Sequence, residues 1–103
     1  MRVAELPISI DGEAVAKFCR AHGIRRLSLF GSVLRKDFDR QRSDVDVLVE
    51  FLPGQVPGWE FFVLDEELAH ILGRKIDLHT PESLSRYFRN DVLGEALEIY
   101  EQP

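Results

Sequence analysis

The sequence predicts an α/β (α+β) fold in which a small mixed sheet is flanked by helices. Three observations predict it. Helical and strand-like spacings of apolar residues alternate along the chain. One run, Asp44 to Phe51, has apolar residues at every second position, with acids at all but one of the positions between. Glycine and proline punctuate the segments between these runs.

The elements follow in order. Asp11 is suited to cap a helix over Gly12 to Ala21, with Val15, Phe18 and Cys19 on one stripe and Gly23 ending it. Arg26 to Phe30 reads as a strand that enters a turn at Gly31-Ser32, and a short helix through Val33, Leu34 and Arg35 is expected next. Lys36 to Ser43 is polar and reads as a loop. Asp44 to Phe51 is the clearest strand, with Val45, Val47, Val49 and Phe51 on one face and Asp44, Asp46, Leu48 and Glu50 on the other. Pro53-Gly54 and Pro57-Gly58 mark a loop. Trp59 to Leu72 has helical spacing through Phe61, Leu64, Leu68 and Ile71 or Leu72, and Gly73 suits its C-terminal cap. Lys75 to His79 is a short strand. Thr80 offers an N-cap and Pro81 a first helical position, from which a helical pattern runs to about Tyr100, with a break near Asn90. The expected order is helix, strand, helix, strand, helix, strand, helix, which packs as helices on a sheet.

Composition narrows the function classes. The 103 residues suit one domain, 1–103, built round a modest core that leaves apolar surface for a partner. Thirteen Lys and Arg against eighteen Asp and Glu give a net charge of −5, which argues against general nucleic-acid binding. Cys19 is the one cysteine, so neither an intramolecular disulfide nor a cysteine metal cluster can form. The start lacks a signal-like apolar run and no stretch reaches the ~20 residues a membrane helix needs, so a cytoplasmic protein without membrane contact is expected.

Chemistry concentrates in two places. Asp44 and Asp46 stand in a valine strand, where a carboxylate is costly unless paired or metal-bound. Two residues apart, they share a face at roughly 7 Å, a spacing that lets both reach one or two hard cations such as Mg²⁺. Asp77 alternates with Ile76 and Leu78, which face the core, so it shares its face with Lys75 and His79. If that strand neighbours the first, three carboxylates meet, as metal-assisted phosphoryl transfer requires. Taken singly, an Asp-x-Asp pair is more often a solvated strand face. Upstream, Gly31 admits close approach of backbone to a phosphate, and Ser32 offers a cap and a hydroxyl at a helix start. Arg35 follows three residues later.

Read together, Gly31-Ser32-x-x-Arg35 and Ser43-Asp44-Val45-Asp46-Val47-Leu48-Val49 resemble the signature of the DNA polymerase beta-like nucleotidyltransferases. The minimal nucleotidyltransferases are the most similar subgroup, with Leu72 to Leu78 (Leu-Gly-Arg-Lys-Ile-Asp-Leu) supplying the third carboxylate. The resemblance runs from about Val15 to Tyr100 and departs at Lys36, where many relatives have glycine. It implies a polymerase beta-like nucleotidyltransferase palm. It implies Asp44, Asp46 and Asp77 as catalytic residues and Mg²⁺ ligands, and Gly31, Ser32, Arg35 and Ser43 as residues that bind the nucleoside triphosphate, with ATP favoured. It also implies an antitoxin paired with a HEPN-domain RNase toxin, in which AMP passes to a hydroxyl of that partner protein. The alternatives are an antitoxin that neutralises its partner by binding alone, and transfer to a small-molecule hydroxyl.

Other residues read as structural. His79 shares the face of Asp77 and can touch a phosphate or metal, but is read as a bystander. His22 reads as a helix-end residue and His70 as part of an amphipathic helix. Arg35, Lys36, Arg40 and Arg42 either steer ATP or form a solvated loop. Trp59, Phe61 and Phe62 are read as core, and Tyr87 and Tyr100 as packed on C-terminal helices.

Overall fold

The structure, a computed structural model, describes residues 2–102. Helix α1 (Gly12–Ala21) starts where the Asp11 side chain accepts a hydrogen bond from the Ala14 N–H at 3.1 Å, and it buries Val15, Phe18 and Cys19. Gly23, at φ 65°, turns the chain into β1 (Ile24–Phe30). The other strands are β2 (Val45–Phe51), β3 (Ile76–His79) and β4 (Leu97–Glu101), and the sheet order is β3-β2-β1-β4. Strand β1 pairs antiparallel with β2 and β4, whereas β3 runs parallel to β2. The sheet is therefore mixed, as expected.

The two sheet faces bury different things. On one, Leu27, Leu29, Val45, Val47, Val49 and Ile76 pack against α1 and against Leu64, Leu68 and Leu72 of helix α2 (Phe61–Leu72). Gly73, left-handed at φ 69°, ends α2 as its sequence position indicates. On the other face Phe30, Leu48 and Leu84 form a smaller cluster against Val92 and Ala96, which caps the face the sequence assigns to Asp46 and Leu48. Among the described residues no helix is long and apolar enough to cross a membrane.

Three expectations are corrected. The helix expected to run from Pro81 to about Tyr100 is instead a 3-10 turn (Pro81–Ser83), a short helix α3 (Arg89–Glu95) and strand β4. Thr80 does cap the turn, its hydroxyl accepting from the Ser83 N–H at 3.2 Å. The outer edge of β1 decides this: its unpaired peptide groups need partners, and Leu97 to Glu101 supplies them. The chain then closes on β1, with the Gln102 N–H donating to the Arg25 carbonyl at 2.8 Å and Gln102 Nε2 to the Ile24 carbonyl at 2.6 Å. Second, α2 begins at Phe61 rather than Trp59. Phe61 packs on the core, but Trp59 precedes the helix and Phe62 turns off the buried stripe, leaving both exposed, at 75% and 77%. Third, Tyr87 is exposed, while Tyr100 packs on the core as a strand residue.

Candidate active site

Strand register assembles the site. Asp46 lies opposite Phe30 on one side and opposite Asp77 on the other. The end of β1, the start of β2 and the edge strand β3 therefore meet at Asp46. Gly31 follows Phe30 directly, at φ 76°, a left-handed conformation that favours glycine. A Cβ at Gly31 would collide with Oδ2 of Asp46, so the missing side chain is the space that this carboxylate occupies.

Donor atoms of Asp46, Asp77 and His79 all lie within 4.8 Å of one another. His79 Nε2 stands 3.6 Å from Asp46 Oδ1, and the imidazole edge meets the Phe30 ring with centroids 5.4 Å apart. His79, read as a bystander, thus belongs to the cluster. Asp44 precedes β2 and stands outside this tight group, although its charge still acts on Asp46. Partial burial pushes the Asp46 carboxyl above the usual carboxylate range; His79 opposes the shift, and the charges of Asp77 and Asp44 add to it. Asp65 on α2 is a further acid the sequence reading passed over. Burial raises its carboxyl first, and repulsion from Asp77 second. The signal for it was an acid following Phe61-Phe62-Val63-Leu64.

The phosphate-side residues depart from expectation in one respect. Gly31 to Leu34 is a 3-10 turn of four residues, and Arg35 lies beyond it in extended backbone, its N–H donating to the Ser32 carbonyl at 2.9 Å. The short helix expected through Val33, Leu34 and Arg35 is thus a 3-10 helix that starts at Gly31 and stops one residue short of Arg35, where the chain straightens. Ser32 stays at the mouth of the turn, half-buried. Arg35, Lys36, Arg40 and Arg42 are exposed. Asp39 organises their loop: its Oδ1 accepts from the N–H groups of Gln41 (2.9 Å) and Arg42 (3.2 Å), and its own N–H donates to Ser43 Oγ at 3.3 Å. Arg74 pins the loop from below, donating to the Arg40 carbonyl at 3.2 Å and lying over the Phe38 ring.

A carboxylate pair in register on adjacent strands, beside a Gly-Ser turn, is a site for handling a polyanion with a cation. Comparison with known proteins agrees. The model of the nucleotidyltransferase domain family matches residues 13–99. The chain belongs to that family. It is 35% identical over 78 residues to the protein adenylyltransferase MntA of Thermococcus cleftensis, an alignment covering 75% of this chain and 76% of that one. A chain solved as a candidate minimal nucleotidyltransferase is 35% identical and superposes with a TM-score of 0.68 over 84% of this chain and 86% of its own. The four-stranded mixed sheet with its helices is thus the minimal nucleotidyltransferase fold. A chain from a complex of tri-AMPylated Shewanella oneidensis HEPN toxin with MNT antitoxin shares the fold, at a TM-score of 0.61 and 20% identity over 88% of this chain and 70% of that one.

Proposed function

We propose that residues 1–103 act as one nucleotidyltransferase unit in the cytoplasm, a protein adenylyltransferase that moves AMP from ATP to a hydroxyl of a HEPN-domain toxin and so neutralises it. The observation that carries this reading is the in-register pair Asp46 and Asp77, with the Asp46 carboxylate seated against Gly31 where no other residue's Cβ would fit. The relatives support it: one is named a protein adenylyltransferase, and another chain of this fold comes from a complex with an AMPylated HEPN toxin.

The residues fit a divalent cation. Asp46, Asp77 and His79 present convergent donors, and the absence of a side chain at Gly31 lets the Asp46 carboxylate take its place among them. Asp44, Asp46 and Asp77 are the residues that would hold Mg²⁺. The cation supplies charge neutralisation on the triphosphate and eases ionisation of the attacking hydroxyl. The chain does the rest. Backbone amides of the Gly31–Leu34 turn and the Ser32 hydroxyl receive phosphate oxygens, with Ser43 and Arg35 flanking them. Asp77, the outer carboxylate, accepts the acceptor's proton as its oxygen bonds to the α-phosphorus. The bond from that phosphorus to the bridging oxygen then breaks, and pyrophosphate leaves.

The test uses the purified protein, its partner protein, Mg²⁺ and each nucleoside triphosphate labelled at the α-phosphate. Label from ATP is expected on the partner, and Asp44→Asn or Asp46→Asn should abolish it while circular dichroism stays unchanged. Transfer by a variant carrying both Asp44→Asn and Asp46→Asn would sink the site assignment. A stable complex with no label from any nucleotide would instead show neutralisation by binding alone.

A further inference from the structure

His79 sits two residues past Asp77 on β3, so both side chains leave the same face. Its register partner is Leu48, which makes it the diagonal neighbour of Asp46. The ring is confined, about one third exposed, with the Phe30 ring against it.

The separation from Asp46 matters. At 3.6 Å, Nε2 and Oδ1 are too far apart for a hydrogen bond. Two donors each about 2.1 Å from a shared cation stand about 3 Å apart at adjacent octahedral positions and about 4.2 Å apart when opposite. The His79–Asp46 distance of 3.6 Å lies between those two spacings, wider than a hydrogen bond and short of the separation of opposite ligands. The third member, Asp77, completes a set whose donor atoms all lie within 4.8 Å of one another. Asp46 itself is held in place, because its Oδ2 occupies the hollow above Gly31.

We propose that His79 is a nitrogen ligand of the cation that Asp46 and Asp77 hold, and that it shifts the preference of this site from Mg²⁺ towards Mn²⁺. The inference rests on the adenylyltransferase reading only in taking those two carboxylates as cation ligands. Mg²⁺ takes oxygen donors and tolerates imidazole poorly, whereas first-row transition dications accept nitrogen and oxygen together. A site with one imidazole among two carboxylates therefore gains more with Mn²⁺ than with Mg²⁺.

The experiment is pulsed electron paramagnetic resonance on nucleotide-free protein containing ¹⁵N-histidine and loaded with Mn²⁺. We expect a ¹⁵N coupling of direct coordination in the wild type and its loss in His79→Asn, with His22 and His70 unchanged as internal controls. Titration followed by the free-Mn²⁺ signal should show Mn²⁺ affinity falling about tenfold or more in His79→Asn while competing Mg²⁺ affinity changes far less. Melting curves of both proteins establish that the variant is folded, and the wild-type coupling stands even if it is not. Bound Mn²⁺ without ¹⁵N coupling would overturn the role of His79 and leave the carboxylate site intact. No bound Mn²⁺ at millimolar concentration would overturn both. Equal losses of Mn²⁺ and Mg²⁺ affinity would refute the shift in preference.

Discussion

Replacing Gly31 by alanine separates backbone strain from damage to the carboxylates. Gly31 sits at φ 76°, where an L-residue costs roughly 1–2 kcal/mol. The added Cβ also runs into Oδ2 of Asp46, so the carboxylate must swing away from Asp77 and His79 or the turn must shift. Together these effects should cost about 2–3 kcal/mol, or roughly 10–20 °C in melting temperature for a chain of this length. Gly23 provides the control. At φ 65° Gly23→Ala carries the same backbone strain, but its Cβ meets Gln55, an exposed loop residue remote from the carboxylates. Thermal denaturation should find both variants destabilised. Transfer of labelled AMP, measured well below either midpoint, should fall about 100-fold in Gly31→Ala alone, since a misplacement of about 1 Å at a reacting centre costs that much. If Gly31→Ala transfers as fast as Gly23→Ala, the close approach of Gly31 to Asp46 has no part in catalysis and the reasoning fails.

Two further outcomes follow from the titrating groups. The Asp46 carboxyl is raised in the folded protein, first by burial and then by its acidic neighbours, so its ionised form is the one that folding disfavours. That penalty is present at neutral pH and disappears as pH falls through the folded value. Asp46→Asn should therefore melt higher than the wild type in EDTA at pH 7, with the gap closing towards the carboxylate range and reversing when saturating Mg²⁺ is added. Cys19 is fully buried and its thiol is pushed up to about 12, burial being the main cause. Because the thiolate is the reactive form, a disulfide reagent at pH 8 should label Cys19 only at the rate of unfolding; prompt labelling of native protein would contradict its burial.

How much of this was legible in the sequence depends on the range of the interaction. Val45, Val47 and Val49 alternate with Asp46 through local geometry alone, and the structure keeps that alternation. Asp77 was placed on the right face of β3 for the same reason, but its pairing with Asp46 is a matter of parallel register, which no local pattern encodes. His79 shows the same divide: its face was readable, its reach across to Asp46 was not. Strand β4 failed differently. Leu97-Glu98-Ile99-Tyr100-Glu101 is too short for alternation to be told from helical spacing, and the open edge of β1 settled the matter. Trp59 and Phe62 were misplaced because hydrophobicity names candidates for burial without saying where a helix begins.

The closing hydrogen bonds of Gln102 to Arg25 and Ile24 have a practical consequence. They bring the described chain out at the opposite end of β1 from Phe30 and Gly31, a separation of six residues or about 20 Å of extended strand. A fluorophore, affinity handle or fused domain joined after this point departs from the far rim of the sheet, leaving the approach of nucleotide and acceptor unobstructed. The opposite choice, an insertion into the Lys36–Ser43 loop, would place its bulk directly upstream of Asp44.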